Sequence, residues 1–300
     1  MSEIVLTHTG SVVPEYVTTC VKQLKHTNPS IPITLIADDE YAGKQTCQRL
    51  GISFYKSEDL NDNALLKEFR RISFFKSWGK PDTTYPSPPN FVQGTSERLF
   101  LLSAYLEKYE INDAWHIEND NMIYGCFDDI QQCLSADKLT CCTINDKHTV
   151  WNLAFIPKHE LIKRAMVWYF IELNKGNEKL LKEYDIEMVH EMTIMARYGK
   201  LNFFPTLGNV HFVESKIKDF YFDPAVYGQF IGGTNNGHKP GFRAPQHHTI
   251  RQMYPHLWKM AGFDKLNKRP FVWDQNDNPH QIFNLHMHNK HKMKRVQSYE

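Results

Sequence analysis

The strongest constraint on the fold is the alternation of short apolar runs with helix-spaced segments over the first 55 residues. Ile4–Thr7 is a short apolar run of strand character, followed by turn residues at Gly10 and Pro14. Val17, Val21 and Leu24 then recur at helical spacing between Pro14 and Lys25. Ile33–Ala37 is β-branched and ends in Asp38-Asp39; a helix to about Leu50 and a strand near Ile52–Tyr55 follow. A strand-helix-strand-helix-strand order predicts an α/β domain with a mixed, mostly parallel sheet flanked by helices. With 41% hydrophobic residues in 300, the chain has enough apolar side chain for one substantial core, with a C-terminal extension wrapped onto it.

Further along, residues 79–94 read as a proline-rich loop, and Thr95 or Ser96 is placed to cap a helix with Leu99, Leu102, Tyr105 and Leu106 on its apolar face. Strands are expected at 115–117, around 139–144 and around 152–156, and helices at roughly 158–173 and 187–198. Trp168 has core spacing with Leu161 and Ala165. From Phe220 onward, Gly, Pro, Asn and His predict irregular structure.

The charge balance narrows the function. Thirty-five basic residues face 34 acidic ones, so no single-sign field recruits nucleic acid. Six cysteines show no CxxC spacing and no disulfide framework, which suits reduced thiols. The N-terminus reads as a first strand rather than a signal peptide, and no apolar run reaches the roughly 18 residues of a membrane span. A soluble, cytoplasmic protein is the expectation.

Glu118-Asn119-Asp120 is the most informative segment. Acids at i and i+2 on an extended stretch point to one side, where both can reach one cation. They follow the apolar strand Trp115-His116-Ile117, and ligands of open α/β sheets sit at the carboxyl ends of strands. Hard oxygen ligands suit Mn²⁺ or Mg²⁺, which can stabilise a departing diphosphate; the bland alternative is a solvated acidic turn. His8-Thr9-Gly10 would lie under a nucleotide, with Gly10 allowing close backbone approach. Asp38 either binds base or ribose or caps the next helix. Arg98 either neutralises diphosphate or is an exposed helix arginine paired with Glu97 or another acid. Trp151 offers a ring on which a sugar face could stack.

His116-Ile117-Glu118-Asn119-Asp120 resembles the acid-x-acid motif of GT-A glycosyltransferases, here in an E-x-D form. The chain is similar to a family of viral and bacterial transferases in four further places. Ser96-Glu97-Arg98 is similar to its Ser-x-Arg helix, and residues 222–233 resemble its FD-x-A-x-x-GQ-x-x-GG segment. Gly241-Phe242 is similar to a following Gly-Phe, and Asn284 to Lys290 to a closing N-L-H-x-H-x-K. The resemblance implies a GT-A domain transferring a sugar from a nucleoside-diphosphate donor, commonly a UDP-sugar, to an acceptor hydroxyl on a glycan. It divides the chain into a nucleotide-binding half (1–125), an acceptor half (126–214) and a closing segment (215–300), and allows a virus-encoded enzyme in a host cytoplasm.

It also implies roles. Asp120 would be the direct metal ligand, with Glu118 beside the metal or donor sugar and Asn119 on the nucleotide. His288 would complete the metal shell, with His247, His248, His286 and His291 as rivals, and Lys290 would pair with phosphate. Glu191 would be the general base of an inverting reaction, although His190 stands where an acid is usual; Asp223 is the rival for base or acceptor binding. Gln229, Gly232 and Gly233 would line the sugar or acceptor. A nucleotidyltransferase, a metallohydrolase and a non-catalytic sugar-nucleotide-binding protein are the competing readings. The first lacks a basic glycine-rich loop, the second a dense histidine cluster, and the third would bind without releasing product.

Overall fold

The computed structural model describes residues 2–10, 12–38, 40–72, 91–186, 188–206, 217–233 and 258–299. The N-terminal part runs β1 (Glu3–His8), α1 (Glu15–Thr27), β2 (Ile33–Ala37), α2 (Glu40–Leu50), β3 (Ser53–Lys56), a 3-10 turn at Ser57–Leu60 and α3 (Ala64–Arg70). The middle part runs α4 (Phe91–Lys108), β4 (Ala114–Ile117), β5 (Asn121–Ile123), α5 (Phe127–Gln131), β6 (Leu139–Asn145), β7 (His148–Ile156), α6 (His159–Leu173), α7 (Asn177–Glu183), α8 (Glu191–Met195) and β8 (Leu201–Phe203). β9 (Phe220–Tyr221), α9 (Tyr227–Gly232), β10 (Trp258–Asp264), β11 (Arg269–Asp274), β12 (Pro279–Ile282) and β13 (Asn284–His286) follow, then a 3-10 helix at Lys290–Val296.

Seven strands form one mixed sheet in the order β3-β2-β1-β4-β7-β6-β8. The pairs from β3 to β4 are parallel, as is β6 with β8, while β7 runs antiparallel to both β4 and β6. The expected mostly parallel α/β sheet with a C-terminal extension is therefore present. β1 shows why the pattern folds this way. Ile4 and Leu6 enter one apolar cluster with Val17, Cys20, Val21 and Leu24 of α1, while Val5 enters another with α4 and α6. A strand buried on both faces reads as a continuous apolar run.

Four expectations are corrected. The fourth helix begins at Phe91, so Thr95 and Ser96 lie inside it rather than at its cap. Their hydroxyls turn inward: Thr95 Oγ1 donates to Val92 O at 3.0 Å, and Ser96 Oγ meets Tyr169 Oη at 2.8 Å. In α6 the fully buried ring is Tyr169, with Trp168 only partly covered. The helix expected over 187–198 is the short α8, beginning at Glu191 because His190 Nδ1 caps it by accepting from Met192 N. The region after Phe220 is not irregular throughout: β10-β11-β12-β9 make a second sheet, and β13 pairs antiparallel with β5. Gly241-Phe242, His247, His248 and most of the 79–94 loop lie outside the described residues. No helix among the described residues is long and apolar enough to cross a membrane.

Candidate metal centre

β4 ends at Ile117, beside the carboxyl end of β1, and the chain turns at once: Asn121 N donates to Glu118 O at 3.0 Å. Glu118 and Asp120 thus sit on a tight turn, not on the extended stretch expected. They converge because the C-terminal strand is laid against that turn. β13 pairs Leu285 with Met122 and His286 with Asn121, and Met287 N donates to Asp120 O at 2.9 Å. His286 Nε2 comes within 3.1 Å of both Glu118 Oε2 and Asp120 Oδ1.

The histidine that meets both acids is therefore His286, where His288 was expected. Two residues further on, His288 lies past the end of β13, its ring nitrogens 3.2 and 3.3 Å from Gln229 Nε2 and its ring centroid 4.7 Å from that of His286. Strand pairing with β5 fixes His286 over the acids, whereas His288 has left the ladder.

Two cations complete the cluster. Arg98 Nη2 donates to Glu118 Oε1 at 2.7 Å, and Lys290 Nζ donates to Asp120 Oδ2. The acid that Arg98 pairs with is thus Glu118, while Glu97 pairs with Arg70. Burial alone would raise the carboxyl of Glu118, but Arg98 and His286 outweigh it and hold the group at about 2. Asp120 is likewise held well below the carboxylate range against burial, by His286 and Lys290. Burial lowers the pKa of His286, yet Asp120 and Glu118 win and carry it up to about 10. A proton on Nε2 thus sits between two ionised carboxylates. Two carboxylate oxygens and one imidazole nitrogen lie within 4.8 Å of one another, a hard mixed donor set that fits Mn²⁺ or Mg²⁺. His286 Nδ1 is buried without a partner among the described residues.

A polar hub underlies the cluster. Asp223 is fully buried; its Oδ1 accepts from Val226 N and Tyr227 N at 2.6 and 2.8 Å, its Oδ2 from Gly228 N and His286 N at 2.8 and 2.9 Å. Asn284 Oδ1 accepts from Asp223 N at 3.0 Å, and Asn284 Nδ2 donates to Asn121 Oδ1 at 3.0 Å. Asn152 Nδ2 donates to Asp223 O at 2.8 Å, and Asn121 Nδ2 to Asn152 O at 2.8 Å. A carboxylate that accepts from four backbone N–H groups ties α9 and β13 together beneath the cluster. A Cβ on Gly228 would stand 2.2 Å from His286 O, so α9 can approach β13 only with glycine there. Sequence reasoning missed Asn121, Asn152 and Asn284 as a unit; the signal was three amides in or beside strands otherwise apolar.

The other expected residues divide. His8 meets the acidic turn through Asn119, whose Nδ2 donates to Thr7 O at 3.0 Å and to His8 Nδ1 at 3.2 Å. That leaves His8 Nε2 as donor to Val12 O at 2.8 Å. Thr9 Oγ1 donates to Gly94 O at 3.4 Å. Asp38 accepts from Gly10 N at 2.9 Å and from Ser57 Oγ, so it holds the first turn. Glu191 is 8% exposed and accepts from Thr95 Oγ1 at 2.9 Å; burial raises its pKa, against the charge of Arg98. Trp151 is 3% exposed in the core and presents no open ring face to a sugar. Gly232 O accepts from Asn289 Nδ2 at 3.1 Å and Lys292 Nζ at 2.8 Å, while Gly233, at φ 79°, ends α9 by donating to Gln229 O. Gly232 thus docks the C-terminal segment, and Gly233 closes the helix.

No family model matches the sequence, and no curated protein matches it. Among solved structures, the galactosyltransferase LgtC, in complex with donor and acceptor sugar analogues, aligns over 68% of this chain and 73% of its own, at 11% identity and TM-score 0.43. The glycosyltransferase GlyE of Streptococcus pneumoniae aligns over 69% and 48%, at 11% identity and TM-score 0.40. A cytidylyltransferase from Leptospira borgpetersenii aligns over 68% and 76%, at 7% identity and TM-score 0.38. Similarity this loose decides nothing about activity. The site must do so.

Proposed function

We propose that this chain is a metal-dependent glycosyltransferase that moves a sugar from a UDP-sugar to an acceptor hydroxyl on a glycan. The observation that carries the reading is the buried Glu118–Asp120–His286 cluster at the carboxyl end of β4, where an α/β sheet receives its ligands. When bound there, Mn²⁺ or Mg²⁺ would neutralise the diphosphate as it departs. Residues 1–125 would hold the nucleotide against His8, Thr9, Gly10 and Asn119. Residues 126–214 would supply the acceptor side, and the segment from 215 would close the site with His286 and Lys290. Arg98 keeps Glu118 ionised and oriented.

Glu191 is the base candidate of this reading. Its pKa is raised by burial, toward the range a general base needs at neutral pH, and Thr95 fixes its carboxylate. The six unpaired cysteines suit a reducing compartment, and the cytoplasm is the placement we favour.

The test is release of free UDP from a panel of UDP-sugars in the presence of Mn²⁺. Asp120→Ala should lower that turnover on the order of a hundredfold or more while the circular dichroism spectrum is unchanged. Near-normal turnover in this variant would remove the assignment. Saturable nucleotide binding without release would identify a binding protein instead.

A further inference from the structure

The turn joining β10 to β11 carries a feature that neither the metal site nor the core uses. Residues 264–269 read Asp-Lys-Leu-Asn-Lys-Arg, and Leu266 at the tip is 90% exposed, more than any other large apolar side chain among the described residues. The turn is built. Asp264 Oδ1 accepts from Leu266 N at 2.8 Å and Asn267 N at 3.3 Å, its Oδ2 accepts from Asn267 Nδ2 at 2.6 Å, and Lys268 takes a left-handed φ of 51°.

Around it the charge is one-sided. Lys265, Lys268 and Arg269 meet no acid among the described residues; Arg269 reaches only Gln281, at 3.3 Å. Asp264, the acid within the turn, keeps its charge on the turn's own N–H groups, so three cations stand against one acid there. At the far end of the hairpin, Lys259 is paired with Asp277, and Asp274 accepts from Asn276, Asn278 and His280. The uncompensated charge therefore gathers at the tip. The Phe263 ring lies 5.9 Å from that of Tyr124, whose hydroxyl donates to Val296 O at 2.6 Å. The tip is thus tied to the Lys290–Val296 helix, where Arg295 is exposed and also unpaired by any acid among the described residues.

We propose that this hairpin tip docks the protein onto an anionic phospholipid surface, with Leu266 below the headgroups and Lys265, Lys268, Arg269 and Arg295 among them. A projecting leucine gains only where an apolar medium lies just beyond a layer of negative charge, and a bilayer offers that order. Phosphates of a nucleic acid would match the cations but would leave the leucine in a polar groove. Each cation near such a surface strengthens partition about fivefold, and one buried leucine about tenfold or more. The sum is reversible, peripheral binding.

The experiment is co-sedimentation of the full chain with phosphatidylcholine vesicles, with and without phosphatidylserine. Binding is expected only with phosphatidylserine, and raised salt should weaken it. Leu266→Asp should weaken it about tenfold, and the Lys265→Ala/Lys268→Ala pair about twentyfold, both with unchanged metal-dependent UDP release and circular dichroism. Failure to bind the anionic vesicles overturns the proposal, as does binding that neither variant reduces. Retention on RNA with no vesicle binding overturns it too, and assigns the cations to a different partner. Because Leu266 lies outside the metal centre, loss of UDP release alone does not bear on this outcome.

Discussion

β1 and β13 are both short strands that end at the candidate metal centre, yet they are held by different materials. β1 lies between two parallel neighbours, with Ile4, Val5 and Leu6 wholly buried in two apolar clusters. β13 has one neighbour and three residues, and its position rests on Asp223, Asn284, Asn121 and the missing side chain of Gly228. Apolar packing loses stability in proportion to the methyl groups removed and relaxes around the gap. A satisfied buried polar hub fixes direction, and it fails abruptly when one member leaves its donors without acceptors. The first kind of contact makes a fold. The second sets which histidine meets which acid.

The sharpest way to break this contrast is a matched pair of substitutions. Asp223→Ala leaves four backbone N–H groups unanswered and should cost about 4 kcal/mol by denaturant unfolding, with Mn²⁺ binding lost in whatever remains folded. Leu6→Ala should cost about 3 kcal/mol by the same measurement, yet leave Mn²⁺ affinity of the folded protein within about twofold. Unaltered Mn²⁺ affinity in Asp223→Ala would show that the hub does not position His286. Gly228→Ala is gentler: a methyl 2.2 Å from His286 O must push β13 away, and Mn²⁺ affinity should fall about tenfold. Calorimetric titration reads it.

Acidity gives a third test. Without metal, the pKa of His286 is raised from 6.5 to about 10, so its pairing contributes stability that is fully present below 6.5 and lost as pH rises through 10. A metal ion takes the neutral ring, so binding must expel that proton, and Mn²⁺ affinity should rise up to about tenfold per pH unit across this window. Titrations between about pH 6.5 and 8, in buffers of different ionisation heat, should show proton release; a flat profile would mean that His286 is not a ligand. The smallest effect belongs to Lys290→Met. Removing the ammonium from Asp120 should tighten nucleotide-free Mn²⁺ binding about threefold, since the pair is a third exposed on the lysine side and screened by water.

The same division explains what could be read from the sequence. The runs at 4–7 and 33–37 and the spacing of Val17, Val21 and Leu24 announce themselves, because burial demands apolar residues at fixed intervals. Glu118 and Asp120 were legible for a similar reason: two acids at a strand's end are chemically conspicuous. That His286 rather than His288 lies against them was not. Two histidines two residues apart are indistinguishable until the end of β13 is known, and that end is set by pairing with β5 across more than half the chain. Asp223 suffered the opposite fate. A carboxylate in a glycine-rich segment invites a catalytic role, and only the structure shows the four N–H groups that it accepts from. β10 to β12 escaped notice because their residues are mostly half-buried and interrupted by Asp, Asn and Lys, which reads as loop.

The pairing of β13 with β5 has a consequence for biosynthesis. Acids made at positions 118 and 120 must wait for a histidine made at 286, after the whole seven-stranded sheet has been synthesised. A nascent chain halted before Asn284 would already contain every strand of the seven-stranded sheet, but only two of the three side chains of the cluster. If the cluster holds an ion, as proposed, its capture is a late event of translation, one that reports on whether β13 has arrived.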